Sequence, residues 1–568
     1  SSIYYRRVSA KRGFFMNSLV LLIAGIVIFL VAYICYGGYL AKKWGVTKND
    51  IETPAHRFQD NTDYVPTEAP VLFGHHFSSI AGAGPITGPA LAAVFGWVPV
   101  YLWIVIGSVF FGGVHDFGAL AASLDNDGKS VGEIIKTNVS KRAQTIFNCY
   151  AWITLTLVVA AFTDMCAKAF AYNPADAASL VGAQAGTASI LFIVLAVLFG
   201  FSRRFLHANL TISTILGVIL IGTSIVIGYY CPVIKMNVVQ WRILLIIYIA
   251  AASVLPVWLL LQPRDYLCSF LLYAMMAGAI LGVFIKHPTV QLTPFAGFNV
   301  NGNSLFPFLF VTVACGAVSG FHSLIASGTT SKQLDKRSNA KLVGYGSMLV
   351  EGLLAIVTLI VVCYLSKDGA TDAVTGAKLG APSTVFARGI SEFMNTFGIP
   401  LEGGRVFVIL AYSAFALTSL DTATRIGRYL MQELAGELPE GNPVRKAASN
   451  MYIATGLTIA VSVIFLVAGY QKIWPIFGSA NQLLAALALL AITAWMYKKG
   501  THSFSTIIPM IVMFAVTFTA LVLIIIKNFQ PNGFVPLAVV GIVLFALAVI
   551  QLVEATVIIA KGYKNNAQ

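Results

Sequence analysis

One stretch of sequence decides the fold of this chain: GHHFSSIAGAGPITGPALAAVFGW, from Gly74 to Trp97. It is long and apolar enough to cross a bilayer, yet its middle carries three glycines and two prolines: Gly82, Gly84, Pro85, Gly88 and Pro89. Proline removes a helix donor and clashes with the preceding turn, and glycine loosens the backbone. Unwound backbone at membrane depth survives only where it is buried in protein or lines a cavity. The stretch therefore predicts a broken membrane helix with main-chain groups free to bind a solute or ion; close helix packing through small residues is the alternative.

The composition of the whole chain is typical of a membrane protein. Of 568 residues, 58% are hydrophobic and only 11% are charged, whereas soluble domains carry about a quarter charged residues. This excludes an ordinary soluble enzyme, a secreted disulfide scaffold and a disordered protein. The net charge of +14 is explained by cytoplasmic loops and anionic lipid, so no nucleic-acid partner is predicted. The seven cysteines lack CxxC spacing, which predicts neither disulfides nor a zinc site.

Apolar runs and charged breaks predict an all-α integral membrane protein with about fifteen helical spans. The spans lie near 17–41, 74–96, 97–122, 143–171, 188–202, 207–229, 241–261, 265–286, 306–327, 339–365, 404–432, 449–468, 475–497, 503–527 and 534–560. The run at 188–202 is short, the polar stretches 42–73 and 366–403 are predicted as loops, and 1–16 is an N-terminal tail. More than half of the 37 Lys and Arg residues share one side if the chain starts outside, which predicts a cytoplasmic C-terminus.

A second interrupted helix is predicted five spans after the first. Pro256 lies in the segment Ile249–Asp265, whose span runs in the opposite direction to the first broken helix. Two oppositely directed broken helices are the mark of an inverted repeat with a binding site at mid-membrane. The placement therefore predicts that the two breaks meet around a solute.

A third segment carries hydroxyl groups at helical spacing. Ser319, Ser323 and Ser327 are four residues apart, so they lie on one helix face with His322 beside it. Such hydroxyls complete a sodium shell together with carbonyl oxygens from a broken helix, or they bond between helices. Both interpretations stay open at this point.

Ionisable residues inside the spans are further candidates, because they are costly in lipid and usually face the bundle interior. They are His75, His76, His115, Asp116, Asp164, Lys168, His322, Glu351, Asp421 and Glu554. A histidine can carry a proton, but the spacing matches no metal motif, so no metal or cofactor is predicted. Asp421 and Arg425 are four apart and are expected to pair on one helix face, as a structural pair or as a gate.

Six motifs together resemble the carbon starvation protein A (CstA) family, which includes proposed peptide and pyruvate transporters. They are HHFSSIAGAGPITGP at 75–89, VHDFGALAASLDNDGKSVGE at 114–133, LPVWLLLQPRDYL at 255–267, CGAVSGFHSLIASGTTSKQL at 315–334, LTSLDTATRIGRYLMQEL at 417–434 and IFGSANQLLAALAL at 476–489. The family resembles the amino acid–polyamine–cation superfamily with its LeuT-like five-plus-five inverted repeat. The resemblance implies an extra helix at 17–41, a ten-helix transport core at 74–432 and a four-helix C-terminal extension at 449–568.

The resemblance also implies roles for the candidate residues. Substrate binding falls to the two breaks, with Ala81, Gly82, Gly84, Pro85, Gly88, Ser253, Pro256 and Trp258. Ion coupling falls to Ser319, His322 and Ser323, where the histidine favours a proton over sodium. A proton relay or gate is expected among His75, His76, His115, Asp116, Asp421 and Arg425.

These features predict a secondary active transporter in the bacterial plasma membrane. It is expected to import peptides or a small carboxylate such as pyruvate, coupled to a proton or sodium gradient, in the response to carbon starvation. Its partners are then the substrate, the coupling ion and the lipid bilayer. A passive channel and a membrane-embedded enzyme using the His/Asp set are the alternatives, although HExxH, Walker and GxSxG motifs are absent from the sequence.

Overall fold

Almost every apolar run of the sequence forms a helix, because lipid offers no partners for free backbone groups. The computed structural model describes residues 17–60, 63–205, 209–256, 259–501 and 504–566. Two short strands, β1 (Asn299–Val300) and β2 (Asn303–Ser304), pair antiparallel in a connecting segment. The predicted tail, residues 1–16, lies outside the described residues.

The main helices in chain order are α1 (Ser18–Lys43), α2 (Ala69–Ala81), α3 (Gly84–Ala92), α4 (Trp97–Asp125), α5 (Val131–Asn138), α6 (Lys141–Phe170), α7 (Leu180–Phe205), α8 (Leu210–Tyr230), α9 (Val238–Val254), α10 (Leu261–Lys286), α11 (Leu305–Val313), α12 (Gly320–Gly328), α13 (Arg337–Leu365), α14 (Pro382–Asn395), α15 (Leu401–Gly436), α16 (Met451–Leu466), α17 (Tyr470–Lys498), α18 (Phe504–Asn528) and α19 (Val535–Asn566). Wider π turns interrupt three of them, at Ala32–Tyr36 in α1, Gly107–Gly112 in α4 and Lys341–Gly346 in α13. Shorter pieces are the α-helices Pro54–Arg57 and Pro443–Ala448 and the 3₁₀ turns Ala93–Phe95, Ala177–Ser179, Ala314–Gly316, Thr330–Lys332 and Arg337–Asn339.

The prediction of a helical membrane protein is confirmed. Among the described residues, 12 helices are long and apolar enough to cross a membrane, and the bent pair Ala69–Ala81 and Gly84–Phe95 brings the number to 13. Helices α9 and α16 are apolar but shorter. The predicted fifteen spans therefore include these two short helices.

Two local predictions are corrected. The run at 188–202 is no short span, because its helix already begins at Leu180 and continues to Phe205. The polar stretch 366–403 is more than a loop, since it contains the amphipathic helix α14, which starts with Pro382 in its first turn. The apolar side of α14 is buried against α10, α13 and α15.

The connecting segments gather at two faces of the bundle. At the first, which we name the basic face, Thr67 bridges to Leu334 and Arg57 bonds Asp127 over 2.7 Å. At the second, the opposite face, the N–H of Trp97 donates to the carbonyl of Thr293. Helices between successive connections run from one face to the other.

Two helices form the centre of the bundle. In α15 and α17, 94% and 100% of the residues in the most apolar stretch are buried. Polar residues on these helices therefore face protein rather than lipid, and both helices lie against α6.

Candidate functional site

The first break lies where the glycines and prolines predict it. Helix α2 ends at Ala81, Gly82 has a positive φ of 35°, and α3 begins at Gly84 with Pro85 in its first turn. A Cβ on Gly82 would lie 2.7 Å from the Ser419 hydroxyl, which itself donates to the Ser79 carbonyl over 3.2 Å. The break is thus seated directly on α15.

The segment packed on this first break is a second break between α11 and α12. Helix α11 ends at Val313, Ala314 has a φ of 42°, and α12 begins only at Gly320. A Cβ on Gly84 would lie 2.5 Å from Cys315, and one on Gly88 would strike the carbonyl of Val313. The two interrupted helices run in opposite directions, since His76 lies against Thr330 and Gly88 against Val313. That the segment Ile249–Asp265 also meets the first break stays a prediction.

The predicted interruption at Pro256 also exists, but the hydroxyl of Ser253, a predicted substrate-binding residue, lies against α16. Helix α9 ends at Val254 and α10 begins at Leu261. The Ser253 hydroxyl lies 3.2 Å from that of Thr455 on α16, and Pro256 is exposed. Trp258 lies outside the described residues.

Arg425 caps the end of α9 instead of pairing with Asp421. Its Nη2 donates to the carbonyls of Ala252 and Leu255, both over 2.7 Å. The last carbonyls of a helix have no partner within it and carry partial negative charge, so a guanidinium satisfies them. The predicted Asp421–Arg425 pair is therefore wrong.

Asp421 belongs to a buried group that we name the guanidinium cluster: Arg264, Asp265, Tyr248 and Asp421. Asp421 forms an ion pair with Arg264 and accepts from the Tyr248 hydroxyl over 2.9 Å. Nη2 of Arg264 donates to its neighbour Asp265 over 3.0 Å. The cluster joins α9, α10 and α15 at the interruption between α9 and α10.

A second buried group, which we name the imidazole cluster, contains His115, Asp116, His322 and Glu351. Asp116 holds one ring on each oxygen, with His115 Nδ1 at 2.7 Å and His322 Nδ1 at 2.8 Å. His322 Nε2 lies 3.4 Å from a Glu351 oxygen, close enough for an ion pair but without hydrogen-bond geometry. All four side chains are fully buried.

The serines next to the second break are engaged in other bonds. Ser323 donates to the Gly320 carbonyl and Ser327 to the Ser323 carbonyl, over 2.7 and 2.6 Å. Asn481 of α17 donates to the Ser319 hydroxyl over 2.9 Å and accepts from the N–H of Phe321 over 2.9 Å. Asn481 thus fixes the second break, and the hydroxyls of Ser319 and Ser323 do not converge on one point.

The paired histidines of α2 point to different groups. His76 is buried, and its Nδ1 lies 2.7 Å from the Thr330 hydroxyl near the basic face. His75 is partly exposed and lies 3.8 Å from Asp265. The structure therefore places His75 beside the guanidinium cluster and His76 apart from the two clusters' hydrogen bonds.

Two cavities open towards the opposite face. One of about 540 Å³ is lined by Leu91 of α3, Thr312 of α11 and Trp474 of α17. It therefore reaches the half of each broken helix that lies nearer the opposite face. The other, of about 480 Å³, carries charged side chains on its wall: Lys168, Asp176, Asp372, Lys378, Arg388 and Arg405. Outside the membrane spans, the N–H groups of Thr375 and Val374 and the Arg388 guanidinium hold the pKa of Asp372 well below its usual range.

Sequence reasoning missed Arg264, Asp265 and Tyr248 of the guanidinium cluster, and Asn481 at the second break. Arg264 stands in the QPRD motif and Asn481 in the IFGSANQ motif, but nothing local says what either contacts. Tyr248 is one of many aromatic residues in an apolar run and gives no separate signal. Among the described residues, no group of three or more His, Cys, Asp or Glu side chains is arranged to hold a metal ion.

Comparison with known proteins gives the chain its family. The sequence matches the carbon starvation protein CstA family over residues 17–379 and 370–520. The chain belongs to the carbon starvation protein CstA family. It is 32% identical to the peptide transporter CstA of Escherichia coli, over 90% of this chain and 82% of the relative.

Other members of the family show the same relationship. The chain is 31% identical to the peptide transporter CstA of Bacillus subtilis, over 97% of this chain and 98% of the relative. It is also 31% identical to the pyruvate/proton symporter BtsT of Escherichia coli, over 93% and 84%. These relatives are transporters, so the family is one of transport proteins and not of enzymes.

The fold is similar to that of a solved manganese transporter from Eremococcus coleocola. The TM-score is 0.50 at 11% identity, covering 89% of this chain and 99% of that chain. At this identity the likeness concerns the fold alone.

Proposed function

We propose that this chain is a secondary active transporter that imports peptides or a small carboxylate such as pyruvate, driven by a proton gradient. The family supports the transport activity, and the names of two relatives supply the two substrate classes. The imidazole cluster is the observation that supports a proton as the coupling ion. It lies on α4, α12 and α13, and α12 is the half-helix that follows the second break.

The charges of the imidazole cluster favour a proton as the coupling ion. Two carboxylates, Asp116 and Glu351, face two imidazoles, and no Lys or Arg bonds to them among the described residues. Burying unpaired carboxylates is costly, so the cluster is electrically balanced only when it holds protons. Both Glu351 oxygens and His322 Nε2 have no hydrogen-bond partner in the described part of the chain, which leaves a position for one more proton between them.

Sodium has weaker support in the same place. A sodium ion needs several oxygen ligands that converge on one point, while Ser319 is held by Asn481 and Ser323 by a carbonyl of its own helix. The coupling site we propose is therefore His322 with Asp116 and Glu351. We place the solute site at the first break, where Gly82 lies against Phe162 and Ser419.

The membrane arrangement follows from the two faces. We propose fifteen crossings, which adds the bent pair and the two shorter helices α9 and α16 to the 12 long ones, with the basic face and the C-terminus in the cytoplasm. The inverted pair of broken helices is then α2/α3 and α11/α12. A transport core defined by this pair extends beyond the predicted 74–432, because α17 supplies Asn481 to the second break.

The test is uptake into proteoliposomes containing the purified full chain. Labelled pyruvate and a labelled dipeptide are supplied separately under an inward proton gradient, an inward sodium gradient or no gradient. We expect saturable accumulation of one of them above equilibrium only with the proton gradient. Accumulation driven by sodium alone would overturn the coupling, and non-saturable downhill flux would indicate a channel.

Glu351→Gln tests the proposed coupling residue. It keeps the side-chain volume but removes the charge that balances the second proton, so we expect accumulation to fall to equilibration while exchange of labelled for unlabelled substrate continues. The control is Glu554→Gln, since Glu554 is another partly buried carboxylate on a helix, bonded to Ser140 at the basic face. Equal accumulation by Glu351→Gln and wild type would remove Glu351 from the coupling role.

A further inference from the structure

We propose that Arg264 receives the carboxylate of the transported solute and that Asp421 is the internal carboxylate which the solute displaces. This inference rests on the proposed transport function and deepens it, because it names the chemical group by which the substrate is recognised. The group is a carboxylate, which pyruvate and the C-terminus of a peptide share.

The contacts around Arg264 leave part of its hydrogen-bonding capacity unused among the described residues. Its side chain is only 1% exposed, and it contacts Asp421, the Tyr248 hydroxyl at 2.5 Å and Asp265 at 3.0 Å. Two atoms of this group nevertheless have no partner in the described part of the chain, Nε of Arg264 and Oδ1 of Asp421. A guanidinium binds a carboxylate best through two parallel bonds, and Asp421 engages it through one oxygen only.

Asp421 keeps another hydrogen-bond donor when a solute binds Arg264 in its place. The Tyr248 hydroxyl already donates to Asp421 over 2.9 Å, so a bond to the carboxylate survives the exchange. One carboxylate replaces another on Arg264, and Asp265 stays in place, 3.8 Å from His75.

Arg264 lies near the start of α10, next to the interruption between α9 and α10. Helix α10 starts at Leu261, three residues before Arg264, so its positive end adds to the guanidinium charge. The competing negative end of α9 is already neutralised, because Arg425 binds the carbonyls of Ala252 and Leu255. The helix ends at this interruption therefore do not oppose an anion at Arg264.

One helix, α15, carries both a contact to the first break and a member of the guanidinium cluster. Asp421 lies two residues from Ser419, whose hydroxyl bonds the Ser79 carbonyl beside Gly82. On the other side, His75 of α2 lies next to Asp265. Helix α15 therefore contacts both the first break, through Ser419, and the guanidinium cluster, through Asp421.

A second buried ion pair shows what a purely structural pair looks like in this chain. Arg242 Nε donates to Asp164 over 2.9 Å, and the other Asp164 oxygen accepts from Lys168 over 2.9 Å and from the N–H of Tyr470 over 2.7 Å. Both oxygens of Asp164 are satisfied, whereas Oδ1 of Asp421 has no hydrogen-bond partner among the described residues. Arg242→Gln is therefore the matched control for Arg264→Gln.

The experiment measures equilibrium binding to the purified full chain by isothermal titration calorimetry. The probes are pyruvate, a dipeptide and the same dipeptide with its C-terminal carboxylate converted to an amide. In the wild type we expect binding of a free carboxylate and at least a tenfold weaker affinity for the amide, about the effect of one lost charge-assisted contact. Arg264→Gln should weaken carboxylate binding at least about tenfold, Asp421→Asn should strengthen it several-fold by removing the competitor, and Arg242→Gln should leave it within about twofold.

The double variant Arg264→Gln/Asp421→Asn guards against misfolding, because it removes the Arg264–Asp421 pair as a whole while Asp265 keeps His75 at 3.8 Å. It should be folded, as judged by its elution as a single species and its thermal unfolding, and it should not bind the carboxylate. Wild-type affinity in either Arg264 variant would overturn the proposal, and so would a loss in Asp421→Asn equal to that in Arg264→Gln, since the pair would then be structural. Binding that depends on Arg264 without proton-driven accumulation would overturn the coupling proposed above and keep this one; proton-driven uptake indifferent to Arg264 would do the reverse.

Discussion

The imidazole cluster and the guanidinium cluster are both buried, both contain an aspartate on a long helix, and differ in the cation that faces it. Asp116 bonds two histidine rings, which carry charge only when protonated. Asp421 faces Arg264, whose charge is permanent. Asp116 therefore faces a charge that changes whenever a histidine gains or loses a proton. Asp421 faces a permanent charge and can give up Arg264 only to another anion.

Under the functions proposed above, this difference gives the two clusters different tasks in one transport cycle. The imidazole cluster adjoins the second break through α12, and the guanidinium cluster adjoins the first break through α15. Because the two breaks pack on each other at Gly84 and Gly88, a change in either cluster reaches the same pair of helices. If the two clusters bind the proton and the solute as proposed, both events act on a shared structural element, which is the physical requirement for coupling two sites.

The largest expected effect comes from filling the contact between the two breaks. Gly84→Leu should abolish uptake of pyruvate or dipeptide, because a Cβ there already lies 2.5 Å from Cys315 and the larger side chain forces the broken helices apart. The control is Gly222→Leu on α8, where a Cβ meets no described atom within 4 Å. Unchanged uptake by Gly84→Leu would mean that the packing of the two breaks is irrelevant to transport.

The next effect separates the two aspartates directly. Asp116→Asn should reduce proton-driven uptake about 100-fold, because an amide cannot accept from both rings and two charge-assisted hydrogen bonds are weakened. Asp421→Asn should instead bind the carboxylate several-fold more tightly, because the variant removes the anion that competes for Arg264. Uptake assays in proteoliposomes and binding measurements on the same preparations compare the pair, and equal losses of both activities in both variants would erase the distinction between the clusters.

The sequence was sufficient where the cause of a feature is local. Gly82, Gly84 and Pro85 break a helix wherever they stand, and the interruption at Pro256 is equally local. The break at Ala314 has no proline, and its cause is the close approach of Gly88 to Val313 and of Gly478 to Val311 from other helices.

Pairing between distant residues was beyond reach of the sequence. The spacing of Asp421 and Arg425 predicts an ion pair on one helix, but the free carbonyls of α9 attract Arg425 and leave Asp421 to Arg264, which is 157 residues away. Glu351 was a candidate only as a charge inside a span. Its place beside His322 depends on the packing of α12 against α13, which no local pattern encodes.

A smaller effect is expected at the cap of α9. Arg425→Gln should reduce uptake by about tenfold or less, because the amide replaces a charged donor to the carbonyls of Ala252 and Leu255 and weakens two bonds of roughly 1 kcal/mol each. Arg425→Lys should recover part of the loss, since the ammonium keeps the charge but reaches the two carbonyls less well. Uptake by Arg425→Gln that is as low as that of Asp116→Asn would show that Arg425 contacts the solute or the proton path.

The smallest effect concerns a carboxylate outside the membrane, which extends the comparison to a third environment. Asp372 accepts from the N–H groups of Val374 and Thr375 over 2.9 and 2.8 Å and forms an ion pair with Arg388. These donors hold its pKa well below the usual range, so the carboxylate stabilises the folded state above the unfolded pKa of about 3.9, and this stability is lost as the pH falls through the lower, folded pKa.

Asp372→Asn should therefore lower the unfolding temperature at pH 7 by a few degrees, for a loss of about 1–2 kcal/mol. The difference from wild type should shrink as the pH falls below about 4, and uptake per folded protein should stay unchanged. Thermal unfolding in detergent across pH 3 to 7 measures the first two, with Asp176→Asn as a control on the same cavity wall. A gap that widens at low pH would contradict the sign of the effect, and a loss of uptake without a loss of stability would place Asp372 on the substrate's path, where its environment would resemble that of Asp421 more than that of a loop carboxylate.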